Sequence, residues 1–430
     1  MTGDRDRAPS LPGRVPPAGG AGGLRPLIRN RDFQTLWTSR FFAGLGKESG
    51  EIAYPLLVLF LAGSATQAGV IGSAQVATAM LAAVAGGALA DRADRRAVLL
   101  VCDVGRLALL ALFAALLLTG NVTFPVIAVV AVGSSAMMGV STPVAMACVK
   151  QLVPASQVSD AAAQNQIRFS TTTALGAPLA GSLFGLGRAL PFVTEALAYL
   201  VSAALVLFIR RPMQADRPPV RERWTLRGAL SGFALLAGHP VLRPMVLWIV
   251  GFNLGFTQPG AFLALIATAQ ERGATHVQIG LTVSLAGAGG LVGALVAGTV
   301  VKRTRPSSTF LAAAWSAPLC ALVLAVAPNV MALGMVLGLV FAIVPCVNVL
   351  FYGYVVAAVT DGCQGRVLGA VMFMALVSQP VGILGIGMIF DLAGPTWVFL
   401  TMAGVSALAA LVTLSRVMRN LPRPEELSET

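Results

Sequence analysis

Between residues 33 and 418 the chain is a nearly unbroken series of apolar runs, parted from one another by short polar turns. About twenty apolar residues, rising about 1.5 Å each in a helix, cross the hydrocarbon of a bilayer. No water reaches the backbone there, so each run must pair its own N–H and C=O groups, which a helix does within one segment. The chain is 56% hydrophobic and only 11% charged, too little charge to clothe a soluble protein. An all-α membrane protein is expected, with spans at 33–61, 68–90, 97–119, 124–149, 161–187 and 191–209. The second six are read at 242–269, 279–301, 309–326, 330–359, 367–392 and 397–418.

The formal net charge is +12, and where the charges fall decides what it means. Basic residues crowd alternate loops: the N-terminal tail, Arg92/Arg95/Arg96, Lys150, the central loop from Arg210 to Arg227, Lys302/Arg303/Arg305, Arg366, and Arg416/Arg419/Arg423. The intervening loops hold only Arg188 and Arg272. Lys/Arg bias of this kind orients a membrane protein with its basic loops in the cytoplasm. Both termini are therefore expected in the cytoplasm, which demands an even number of spans. No nucleic-acid partner is expected, since no recognition fold accompanies the charge; the lipid bilayer is the partner it implies.

Residues 1–32 read as a disordered tail, 33–209 as an N-terminal six-helix bundle and 210–240 as a cytoplasmic linker. Within that linker, 224–237 reads as an amphipathic helix on the membrane surface. Residues 241–418 form the second six-helix bundle and 419–430 a short tail. Cys102, Cys148, Cys320, Cys346 and Cys363 form neither a CxxC nor a Cys/His cluster, so no disulfide framework or metal site is indicated and packing roles are expected.

The halves repeat. Trp37/Trp248, Gln67/Gln278, Gly69/Gly280 and Gly87/Gly298 are each 211 residues apart, and Gly176/Gly382 and Gly181/Gly387 are each 206 apart. Two like-oriented six-helix repeats are an arrangement associated with alternating access around a central site.

Between the second and third spans stands GALADRADRR (87–96), where Gly87 permits close helix approach and Asp91 lies beside Arg92, Arg95 and Arg96. Asp103 and Arg106, three residues apart on one helix face, can pair. Two readings of this loop stand together: anchoring of the topology by positive charge, and a latch made in one conformation and broken in another.

This loop resembles the signature G-x-x-x-D-R-x-G-R-R of the major facilitator superfamily, with Asp94 in place of a glycine. The matching loop of the second half, GTVVKRTR (298–305), lacks the acid. NRDFQTLW (30–37), LVP (152–154) and HPVLR (239–243) resemble the branch that holds macrolide efflux proteins and the enterobactin exporter. The resemblance, over about residues 30–420, implies the twelve-helix major facilitator fold. Gly176, Pro178 and Gly181 resemble part of that superfamily's antiporter motif, whose other glycines are replaced here. Ordinary tight packing and an antiport role both fit these three residues.

The first span carries Arg40, Gly44, Lys47, Glu48, Glu51 and Pro55 on one helical face. Ionisable groups inside a membrane demand a partner or a function. Lys47 and Glu51 can neutralise each other, which leaves Glu48 the less obviously paired carboxylate. A carboxylate in a partly dry cavity can exchange protons near neutral pH. The resemblance implies that the first, fourth, seventh and tenth spans line a transport path. The alternative is a static buried network of Lys47, Glu48 and Glu51 with Arg168. Glu195 is expected near the outer end beside Arg188, and Asp391 as a rim residue. Further candidates are Asn165 with Arg168, Asn253 with Thr257 and Gln258, and Asn348 with Tyr352. Met137, Met138 and Phe256 are candidates for an adaptable apolar wall.

The expectation is a proton-coupled exporter of a bulky amphipathic small molecule, such as an antibiotic or siderophore, acting as a monomer without cofactor or metal. A nutrient importer on the same scaffold is the alternative. An intramembrane enzyme is not expected: the two histidines, His239 and His276, lie near span ends, and there is no Gly-Lys-Ser/Thr loop. Ala-, Gly- and Arg-rich usage suggests a high-GC bacterial source, hence the bacterial cytoplasmic membrane.

Overall fold

The computed structural model describes residues 27–214, 226–359 and 361–423, and among these every regular element is a helix. The first half comprises α1 (Arg31–Ala62), α2 (Ala65–Arg92), α3 (Arg95–Leu118), α4 (Phe124–Leu152), α5 (Val158–Leu186) and α6 (Leu190–Phe208). A linker helix α7 (Leu226–Gly238) precedes α8 (Leu242–Phe256), α9 (Gln258–Glu271), α10 (His276–Arg303) and α11 (Pro306–Ala325). The chain continues through α12 (Val330–Ala358), α13 (Asp361–Ala393) and α14 (Pro395–Ala410) to a short α15 (Arg416–Arg419). With α8 and α9 counted as one broken span, ten spans are long and apolar enough to cross a membrane. The other two, α1 and α5, are long enough but more polar: α1 carries Arg40, Lys47, Glu48 and Glu51, and α5 carries Arg168 among many Gln, Ser and Thr residues. Together they make the twelve-helix fold.

Two expectations about continuity fail for local reasons. The seventh span, read as unbroken over 242–269, breaks at Thr257, because Pro259 has no N–H to give and its ring clashes with a preceding carbonyl. Residues 27–32, read as tail, form a 3-10 turn and the start of α1. Leu27 is buried there, while the Asn30 side chain accepts from Phe33 N at 3.2 Å and donates to Leu152 O at 2.8 Å. Residues 1–26, 215–225 and 424–430 of the expected tails and linker lie outside the described residues. Helix α7 is docked on α13 as well as being amphipathic, with Phe233 edge-on to Phe373 at 6.0 Å.

The packing explains the sequence repeat. Ser64 accepts from Gln67 N at the start of α2, and Thr275 makes a full capping box with Gln278 at the start of α10. The repeated glutamines are thus helix-start signals. The glycines two residues on are contacts between the halves. A Cβ on Gly69 would lie 3.0 Å from Ile383 O and 3.5 Å from Gly387 Cα; one on Gly280 would lie 2.9 Å from Ala177 O and 3.1 Å from Gly181 Cα. Four of the eight repeated glycines, Gly69, Gly387, Gly181 and Gly280, therefore form two related crossings, α2 with α13 and α5 with α10. Gly87 and Gly298, at the opposite ends of α2 and α10, would meet nothing within 4 Å. The halves touch through these glycines at the end away from the basic loops, whereas the repeated glycines at the basic end make no such crossing.

Within the second half, α10 and α12 pack backbone to backbone. A Cβ on Gly289 would run into the Gly338 carbonyl and lie 2.6 Å from its Cα; one on Gly293 would lie 2.7 Å from Ala342 Cα. Small residues four apart permit this approach in a membrane. Gly289→Ala and Gly293→Ala are each expected to destabilise the fold by about 1–3 kcal/mol through overpacking. Gly298→Ala is the neutral control. Unfolding of the purified protein in detergent micelles measures all three.

Candidate functional site

Between the halves lies a cavity of about 560 Å³, within the size range of sites for drug-sized ligands. It is walled on one side by α1, α2 and α4 and on the other by α8, α9, α12 and α13. Gly176 lets α5 press against α1 beside Glu48, where a Cβ would lie 2.5 Å from the Glu48 Cβ. Gly181 does the same for α5 against α10, its Cβ position 2.5 Å from His276 O. Pro178 lies between these two contacts, inside α5.

All the charge on the wall comes from the first half. Lys47 Nζ lies 3.0 Å from Glu48 Oε1 and 2.7 Å from Glu51 Oε1. Lys47 is thus shared between the two carboxylates, and Glu48, expected to be the less obviously paired of them, has it as a partner too. Behind it, Arg106 of α3 reaches Glu195 of α6 at 3.5 Å, donates to Ser134 Oγ at 3.0 Å and stacks on the Tyr199 ring at 3.9 Å. Both Arg106 and Glu195 border the cavity. Three carboxylates thus face two cations, a net charge of −1 when all are ionised.

Several expected pairings are corrected. Asp103 and Arg106 do not pair along α3. Asp103 instead binds Arg40 of α1 and accepts from Ser202 Oγ of α6 at 2.7 Å. A buried charge needs several partners at once, and neighbouring helices supply more than one helix face does. Arg168 donates to Arg40 O at 2.9 Å and does not join Lys47, Glu48 and Glu51. Glu195 is buried against α1 rather than beside Arg188, whose guanidinium sits 3.6 Å from the Phe60 ring centroid. Glu195 is the residue sequence reasoning misplaced. Its signal was Gly46 and Gly50, four apart on α1; a Cβ on Gly46 would lie 3.2 Å from the Glu195 Cγ.

Asn253, Gln258, Phe256 and Met138 border the cavity. Met137 instead packs against Gly105, and Asn165 is absent from the cavity wall. Asn348 and Tyr352 are exposed, one and two turns from Val344 toward the basic end, outside that wall. Asn253 also accepts from Gln379 Nε2 at 3.4 Å.

In the signature loop, Asp91 and Arg92 are exposed, and among the described residues Asp91 has no ion pair. Arg95 is buried and donates to Ala90 O, Ala147 O and Met213 O at 2.7, 3.2 and 3.0 Å, so it ties α2, α4 and the linker together. Arg96 reaches Leu207 O of α6. Asp94, at the position where the signature has glycine, caps α3 by accepting from Arg96 N at 3.0 Å.

At the end where the glycine crossings bring the halves together, one carboxylate also spans them. Asp391 of α13 accepts from Ser64 Oγ at 2.7 Å, Ala65 N at 2.8 Å and Thr66 N at 2.9 Å, across the boundary between halves. Deeper contacts are Ser73 Oγ donating to Pro380 O at 2.7 Å and Ser284 Oγ donating to Ala174 O at 3.5 Å.

The sequence profile described as the Major Facilitator Superfamily matches residues 36–382. The MFS-type transporter YfiS of Bacillus subtilis (strain 168) is 24% identical over 410 residues, covering 91% of this chain and 94% of its own. YkuC, an MFS-type transporter of the same organism, is 23% identical over 295 residues, covering 65% and 67%. The crystal structure of the nucleoside transporter NupG superposes with a TM-score of 0.69 at 16% identity, over 91% of this chain and 100% of that one. At that identity the likeness shows the fold alone.

Proposed function

The chain belongs to the major facilitator superfamily, and we propose that this secondary transporter is a proton-coupled exporter of a bulky amphipathic small molecule. The observation that carries this reading is the cavity itself. It has a mostly apolar wall and a surplus carboxylate on one side, and the halves meet at one end, where the glycines cross and Asp391 bridges to α2. If the basic loops face the cytoplasm, the open end faces inward, both termini are cytoplasmic, and this conformation loads substrate from inside. Two-state carriers of this kind expose one site alternately to each face. Glu48, Glu51 and Lys47 form the group in which proton and substrate compete. A proton entering from outside discharges one carboxylate and weakens the hold on cargo that the ionised cluster favours. Asp91, exposed in this state, is the latch residue for the opposite state, in which the basic ends of the halves close.

Everted membrane vesicles test this reading. With an acid interior established by respiration, addition of an amphipathic dye such as ethidium is expected to release protons. Glu48→Gln is expected to reduce that release at least about tenfold at equal protein abundance. Solute moving in the same direction as the proton would mark an importer and overturn the proposal.

A further inference from the structure

The wall chemistry narrows the cargo. Every titratable side chain bordering the cavity belongs to the first half: Lys47, Glu48, Glu51 and Tyr54 on α1, Arg106 on α3 and Glu195 on α6. The facing wall contributes no charge: its polar groups are the amides of Asn253, Gln258 and Gln379, and the rest is apolar, including the rings of Phe252, Phe256, Phe262 and Phe341. Phe252 stacks on Phe256 at 5.8 Å, and Phe262 meets Phe341 edge-on at 5.8 Å. Aromatic faces attract cations, the more so when the cation is stripped of water.

Two further observations point the same way. Glu195 Oε2 and Tyr54 Oη are buried on this wall, and neither has a hydrogen-bond partner. The ionised Glu195 carboxylate can only accept and leaves that capacity unmet beside the cavity, while the Tyr54 hydroxyl can accept or donate. Glu51 is the most accessible of the three carboxylates, with a third of its side chain exposed. An anionic cargo would meet a net negative wall with every resident cation already engaged by a carboxylate, an arrangement that repels it.

Building on the carrier reading above, we infer that the cavity takes monovalent organic cations, with the charged group at Glu51 and Glu48 and the apolar body against the four phenylalanines. The surplus is a single negative charge, so either one proton or one such cation neutralises it. Exchange is then one for one and carries no net charge across the membrane.

Purified full-length protein in detergent provides the test. Tritiated tetraphenylphosphonium is titrated against it, alongside tetraphenylborate and neutral tetraphenylmethane, which share its shape. In medium acidic enough to protonate the free cluster, the cation is expected to bind saturably, more than about tenfold tighter than either isostere, and to release about one proton per cation bound, since cation and proton compete for one negative charge. Glu51→Gln is expected to weaken the cation about tenfold while leaving the neutral isostere unchanged. Glu51→Asp, which keeps the charge, restores binding and excludes misfolding as the cause. Equal binding of the neutral or anionic isostere, no saturable binding of the cation, or binding without proton release would each overturn the cation assignment. Proton-driven export in vesicles of a neutral compound would sink this inference and leave the exporter reading standing. Import would sink the exporter reading whatever the charge preference.

Discussion

Asp391→Ala is expected to shift the carrier toward the conformation open at the end away from the basic loops. Three donors of α2 and its N-cap, Ser64 Oγ, Ala65 N and Thr66 N, all converge on this one carboxylate of α13. Two of them are helix-start N–H groups with no partner inside α2, and the positive end of the helix dipole adds to the attraction. A hydrogen bond to a charged group contributes about 1.5–3 kcal/mol. Asp391 is exposed, so solvent screening and water replacement bring the whole clasp down to about 1–2 kcal/mol. That corresponds to about a tenfold change in the ratio of the two states. A cysteine at Ala68, which borders the cavity next to the clasp, reports the change in a background lacking the five native cysteines. An impermeant maleimide applied from that face should label it several-fold faster in the Asp391→Ala protein. Asp391→Asn should fall between, since an amide oxygen accepts but carries no charge. Unchanged labelling would mean that the glycine crossings hold this end closed without help.

The clasp has no counterpart in the other crossing, and the sequence repeat shows why. One helical turn before it in the 206 register, Gly181 and Gly387 match; at the position of Asp391 itself the first half has Gly185. A Cβ there would meet only His276 Cβ and Val277 Cγ2, at 3.8 and 4.0 Å. The first half thus supplies the membrane-buried charge while the second supplies the clasp. Each half lacks what the other carries.

What the sequence revealed follows from what is periodic. Apolar run length sets the spans, and close helix crossings admit only glycine, so Gly69, Gly181, Gly280 and Gly387 were visible as repeats. Charge pairing was not visible, because it depends on how helices far apart in sequence are rotated against each other. Asp103 lies three residues from Arg106 yet binds Arg40, which is 63 residues away. Glu195 is only five residues beyond the start of α6, so counting rise along the helix placed it near the outer surface. The Gly46/Gly50 groove of α1 draws it into the bundle. Asp94 replaces a glycine of the family signature, and its use as a helix cap depends on the α3 boundary, which the sequence placed two residues too late, at residue 97 rather than Arg95.

Arg106→Met is expected to be the most destabilising single change in the first half, at about 3–5 kcal/mol, because it strands a buried carboxylate. The two partners are unequal. Arg106 keeps Ser134 Oγ and the Tyr199 ring if Glu195 is removed. Glu195 keeps nothing if Arg106 is removed: its Oε1 contacts only Arg106, at 3.5 Å, and its Oε2 has no partner. Glu195→Gln should therefore cost distinctly less than Arg106→Met. The double variant should regain much of what Arg106→Met loses, since no unpaired charge remains in the bundle. Unfolding of the purified proteins in mixed SDS micelles, followed by circular dichroism, closes the cycle. Additive losses would show that Arg106 and Glu195 act separately. Recovery in the double variant would mark them as one unit holding α3 and α6 behind the Lys47 cluster. In that case the double variant folds but presents a wall with two carboxylates and one cation, Lys47. The surplus of one negative charge survives, so cation binding should survive with it, even where transport is slowed.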